Sequence, residues 1–248
     1  MSPYEWSWSP DALALLPLAA GYALAARRLA SDRDRALAFG AGAALIALVL
    51  VTPLDTIARR YLLSAHLLQN VILAEWAPAL LVLGIPPALA AGVSRLRALR
   101  PLVHPLVALP LWLATYFAWH VPAAYDAALR QTGWLLPLEH LSYLAAGVLL
   151  WWPVVHGPFG SGAKAAYLFA AFVLASPLGL VLALVPEAIY ETYERGPGLW
   201  GLSPLTDQQL AGMTMAGEQA VVFFAVFIVF FLRFLREDEA AEVYRRLR

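Results

Sequence analysis

The sequence contains no cysteine among its 248 residues, which excludes disulfides, thiolate catalysis, iron–sulfur clusters and every cysteine-based zinc site. Any metal would have to be held by His, Met, Asn or carboxylate side chains. Charge is scarce too: 14% of residues are charged, 17 basic against 17 acidic, where a soluble domain carries about 25%. The basic residues fall in short groups between apolar runs, so no basic patch is offered to a phosphate backbone, which speaks against nucleic acid as a partner. No Lys or Arg lies between Met1 and Pro10. The positive start of a cleaved signal peptide is therefore missing, and the first apolar run is expected to remain in the mature protein. No phosphate-cradling glycine pattern, GxSxG, HExxH or CxxCH occurs. ATP-driven transport and the usual hydrolase, zinc-protease and covalent-haem chemistries lack their motifs, and no enzymatic activity is expected.

What the chain has in excess is apolar side chain. At 61% hydrophobic residues and a mean hydropathy of +0.67 it carries more than one globular core could hide. A helix needs about 20 mostly apolar residues to cross a bilayer, and seven runs qualify by eye: Pro10 to Ala26, Ala36 to Leu54, Leu62 to Gly84, Pro105 to Val121, Trp134 to Val155, Ala163 to Pro186, and Leu210 to Leu235. After the third, Pro86 and Pro87 end the helix by removing backbone donors and leave a short stretch, Pro86 to Val93, at the membrane edge. The fold class expected is an all-α, polytopic membrane protein with seven transmembrane helices, forming a single domain over residues 1–248.

An odd number of spans puts the termini on opposite sides. One set of loops holds 13 of the 17 basic residues, Arg27, Arg28, Arg33 and Arg35 first and Arg233 to Arg248 last, while the other holds only Arg59, Arg60, Arg130 and Arg195. By the positive-inside bias the N-terminus is outside and the C-terminus cytoplasmic. Trp6, Trp8, Trp119, Trp134 and Trp200 all fall where the chain would meet the outer interface, the level that indoles prefer. The run Arg233 to Arg248 reads as a short surface helix continuing the last span.

Depth then follows from the 1.5 Å rise per residue. His66 lies about one turn inside the third span, Asn70 about two, and Glu75 near the midplane. His120 ends the fourth span, Glu139 and His140 open the fifth, and Met213, Met215 and Glu218 fall in the first turns of the seventh. Three histidines and two methionines thus reach one level of the outer leaflet. Ionisable groups inside a bilayer are costly and mark functional sites, and imidazole with thioether sulfur suits copper, Cu(I) above all. His66, His120 and His140, completed by Met213, Met215 or Asn70, are the candidate copper ligands. The alternative for each His is a hydrogen bond to a neighbouring helix. Met213 and Met215 do not share a helix face, so one of them at most would bind. Glu75 is either a proton or ion relay or a carboxyl hydrogen-bonded between helices. His104 and His156 read as solvated residues at inner helix ends.

Four segments in this order resemble the CtaG family of cytochrome c oxidase assembly factors, bacterial seven-span membrane proteins. His66-Leu67-Leu68-Gln69-Asn70, with Ala77-Pro78 and Gly84-Ile85-Pro86 downstream, is similar to the family's H-M-x-Q-H segment. Trp119-His120-Val121-Pro122 is similar to its W-H-x-P, and Glu139-His140 with Trp151-Trp152-Pro153 to its E-H and W-W-P run. Asp207-Gln208-Gln209-Leu210-Ala211-Gly212 and Met215 match its D-Q-x-x-A-G-x-x-M. The resemblance implies a membrane assembly factor of the bacterial plasma membrane that works with haem-copper oxidase subunits and delivers copper on the outer face. Two positions depart from the pattern: Asn70 stands where the family has a second His, and Ala216 where it has an aromatic residue. The amide oxygen of Asn is hard and a poor copper ligand. A metal-free scaffold or chaperone of the oxidase, a small-solute or proton transporter using Glu75, and a haem protein with two axial histidines are the competing functions.

Overall fold

The computed structural model describes residues 2–8, 10–29, 32–130 and 133–246; Arg248, at the end of the expected C-terminal surface helix, lies outside them. The chain is all-helical, 80% helix, without strands among the described residues. A 3-10 turn, Pro10–Ala14, leads into α1 (Leu15–Arg28). Asp32 caps α2 (Arg33–Val51), accepting from the Arg35 amide at 2.8 Å. Thr52, followed by Pro at the first helical position, starts α3 (Pro53–Arg60), an arrangement that leaves no amide wasted. The third apolar run forms α4 (Leu63–Val71), a π-helical turn (Ile72–Trp76) and α5 (Ala77–Gly84), and the Pro86-Pro87 pair is followed by the short α6 (Pro87–Arg95). Then come α7 (Pro105–Trp119), α8 (Pro122–Arg130), α9 (Leu135–Val155), α10 (Ser161–Leu184), the single turn α11 (Glu191–Glu194) and α12 (Pro204–Arg246).

Helices stand in all seven expected runs, yet among the described residues five are long and apolar enough to cross a membrane, or six when α7 and α8, bent by 70°, count as one span. The first run falls short because its first five residues wind as a 3-10 turn and leave α1 with 14. The π turn has a local cause. Pro78 cannot donate to the carbonyl four residues back and its ring crowds that carbonyl, so the Ala74 oxygen is released and accepts from Trp112 Nε1 at 3.3 Å. The extra residue turns Glu75 fully inward, where Gln219 Nε2 donates to it at 3.1 Å. Glu75 is therefore hydrogen-bonded between helices.

Where helices approach most closely, the contact residue is glycine. A Cβ on Gly212 would meet the Gly179 carbonyl of α10 at 2.6 Å, and one on Gly147 would meet Pro78 at 2.5 Å; small residues let backbones pack without hydrophobic drive from lipid. One end of the bundle is tied by Arg35, which donates to the Leu83 and Ile85 carbonyls at 3.2 and 3.1 Å, and by Ser161, which donates to Glu237 at 2.7 Å. His156 belongs to that end. It is not a solvated loop residue as expected, because its Nε2 reaches the Val82 carbonyl at 2.9 Å and the ring is half-buried. His104 is exposed and caps α7.

Candidate functional site

The opposite end of the bundle holds the histidines. His66 on α4, His120 at the α7–α8 bend and His140 on α9 are 0%, 4% and 1% exposed, so the group is closed to solvent. The His66 and His140 ring centroids are 6.3 Å apart. Tyr125 of α8 lies between the other pair, 5.0 Å from the His66 ring and 6.0 Å from that of His120. A cavity of about 20 Å³ bounded by His140, Asp11 and apolar side chains touches the group, room for about one water-sized guest.

Each imidazole has its Nδ1 engaged, and the partners determine which way the proton there points. His120 Nδ1 lies 2.7 Å from the Tyr116 carbonyl, which can only accept, so Nδ1 donates. His140 Nδ1 faces the Asp11 carboxylate, again an acceptor. His66 Nδ1 lies 3.0 Å from the Tyr193 hydroxyl, whose own hydrogen goes to the Ala58 carbonyl; Nδ1 must donate there as well. Burial pushes the Tyr193 phenol well above its ordinary value, so that hydroxyl stays protonated and keeps the arrangement. The Nε2 atoms of His120 and His140 are left as lone-pair donors, buried and without a hydrogen-bond partner among the described residues, whereas His66 Nε2 faces the Glu139 carboxylate at 3.4 Å. An N–H anchored on carboxylate or carbonyl with the other nitrogen free is the arrangement of metal-binding histidines.

The surrounding carboxylates and hydroxyls hold this geometry. Asp207 at the start of α12 accepts from the Leu63 and Ser64 amides at 2.6 and 3.2 Å, capping the helix that carries His66. Asp126 accepts from the Glu191 and Thr192 amides at 3.2 and 2.8 Å and so fixes the loop that brings in Tyr193. Arg130 pairs with Glu191 on the same loop. Tyr190 donates to the His120 carbonyl at 3.0 Å. Arg59 binds Asp55 at 2.8 Å and approaches Asp11 at 4.0 Å.

Asn70, one turn below His66, donates from Nδ2 to Glu139 Oε1 at 3.0 Å. Met215 is buried on the stripe of α12 that also carries Ala211 and Gln219. Met213 is 54% exposed, two residues and roughly 200° round the helix, so the structure does not bring it to the histidines. Among the described residues no three His, Asp or Glu side chains stand close enough together to enclose a metal ion. The donors are gathered without being clamped.

The family model described as cytochrome c oxidase caa3 assembly factor (Caa3_CtaG) matches residues 20–237. The chain belongs to this family. No curated protein and no solved structure matches. The match covers every histidine of the chain, and Asp11, the partner of His140, precedes it.

Sequence reasoning overlooked the anchors. Asp11 carried one signal, an acid within an otherwise apolar first run, and Tyr125 another, following the W-H-x-P segment on α8, while Tyr193 carried none, since only the fold brings it to His66.

Proposed function

We propose that this assembly factor binds copper as cargo at its outer end and passes it to a haem-copper oxidase, with no turnover of its own. The carrying observation is the engagement of all three Nδ1 atoms, which leaves the Nε2 atoms of His120 and His140 buried and unpartnered and that of His66 facing only the Glu139 carboxylate. Three imidazoles, with the buried thioether of Met215 on α12 as a fourth donor, form a donor set suited to Cu(I). In this reading α1 and the bent α7–α8 unit complete seven spans in a bacterial plasma membrane, with the histidine end outside, the arginine-rich end cytoplasmic, and oxidase subunits as partners.

The test is elemental analysis of protein purified without chelators, beside His66→Ala, His120→Ala and His140→Ala. Copper is expected in the parent and reduced in each variant; a parent that fails to bind copper against a weak Cu(I) chelator would overturn the proposal. One observation favours a second reading, a metal-free scaffold for the oxidase. Asn70, where the resemblance implies a His, already serves Glu139 as a hydrogen-bond donor.

A further inference from the structure

At the arginine-rich end, α5, α9, α10 and α12 enclose a groove of about 350 Å³, the size of a small-ligand site. Its walls are apolar, formed by residues such as Leu83, Val154, Val226 and Phe230, and two features of the lining have no partner that explains them.

The first is a pair of cations. Lys164 Nζ and the Arg233 guanidinium flank the same ring, 5.5 and 5.6 Å from the Phe230 centroid. Neither has a carboxylate within ion-pair distance among the described residues. The nearby acid Glu237 instead accepts from Ser161 at 2.7 Å. The second is Trp151, 3% exposed, whose Nε1–H has no hydrogen-bond partner among the described residues although the ring lines the groove. Three other indoles have acceptors: Trp76 donates to Glu218, Trp112 to the Ala74 carbonyl and Trp119 to Ser142. Buried polar groups left unpaired call for an explanation.

We propose that this groove is a binding site for one anionic phospholipid, its phosphate between Lys164 and Arg233, an ester carbonyl on the Trp151 indole N–H and an acyl chain along the apolar walls. Two adjacent cations need an anion. A free phosphate would leave the apolar walls and the deeper indole unserved, whereas a phospholipid supplies anion, acceptor and hydrocarbon at the successive depths where the groove presents their complements. Basic pockets between membrane helices recognise lipid headgroups in this way.

The experiment transfers the full-length protein into vesicles of phosphatidylcholine with and without phosphatidylglycerol, releases it into mild detergent and counts retained lipids by native mass spectrometry. The parent retains one phosphatidylglycerol in preference to phosphatidylcholine. Lys164→Gln or Arg233→Gln weakens that preference about fivefold and the double variant about thirtyfold. Arg97→Gln, at the same end and away from the groove, leaves it unchanged, and excess inorganic phosphate does not displace the lipid. Trp151→Phe weakens retention of both lipids alike, because the ester carbonyl is common to them. Equal retention of the two lipids by the parent, a double variant that matches the parent, or displacement by inorganic phosphate would each overturn the proposal. Should Trp151→Phe fail to fold, since the ring also stacks on Phe223, the charge variants at the groove's rim decide alone.

Discussion

Asn70 and His66 converge on one oxygen atom: Oε1 of Glu139 accepts from Asn70 Nδ2 at 3.0 Å and lies 3.4 Å from His66 Nε2. The carboxylate thus sits between the first imidazole and the position where the family resemblance implies a second. An imidazole at position 70 would stand on the same helix face as His66 and could still donate to Glu139. Asn70→His is expected to tighten Cu(I) binding roughly tenfold, as ligands added to a prearranged site do, and to lose that gain in a His120→Ala background. A competition titration against a Cu(I) chelator reads both. Unchanged or weaker binding by Asn70→His would mean that Met215 already completes the set.

Asp207 acts at a distance from the imidazoles, through the two amides it accepts from at the start of α4. Replacing it with Ala leaves those buried donors without their cap. A loss of about 1–2 kcal/mol is expected, seen as a lower thermal midpoint in detergent, together with weaker copper binding because His66 rides on the first turns of that helix. Stability lost with copper affinity intact would separate the cap from the site.

Acid should loosen the arginine-rich end through His156. Burial holds this imidazole below its ordinary value of 6.5, more than the Val82 hydrogen bond raises it. A folded-state value below the unfolded one means that the unfolded chain binds the extra proton first. The contribution of His156 to stability is therefore complete above about pH 6.5 and lost as pH falls through the folded-state value. Thermal midpoints of the parent should drop faster than those of His156→Gln on acidification from pH 7.5 to about 5; parallel curves would contradict the assignment.

Orientation is open to a direct check. A reporter fused after Arg248 that is active only in the cytoplasm is expected from the basic residues gathered at that end, and activity only outside the cell would invert the proposed topology.

The sequence was most legible where a single physical rule governs. Apolar run length placed a helix in every expected stretch, and the 1.5 Å rise put His66, His120 and His140 at one level, where they do lie together. It was least legible where tertiary contact overrides local pattern. The 3-10 winding of Pro10–Ala14 and the 70° bend after Trp119 take α1 and α7 below spanning length, and hydropathy is blind to both. Met213 and Met215 were both candidate ligands on different helix faces, and only the packing of α12 shows which is exposed and which buried. The tautomers were not readable at all, since they depend on Tyr193, Asp11 and the Tyr116 carbonyl, which reach the rings from 127, 129 and 4 residues away.

The central claim is that His66, His120 and His140 take up copper through their Nε2 atoms. X-ray absorption at the copper edge of the Cu(I)-loaded protein tests it most directly. The account predicts imidazole scattering from His66, His120 and His140, falling by one ring in each single His→Ala variant. A copper shell without imidazole scattering, or one indifferent to all three substitutions, would contradict it.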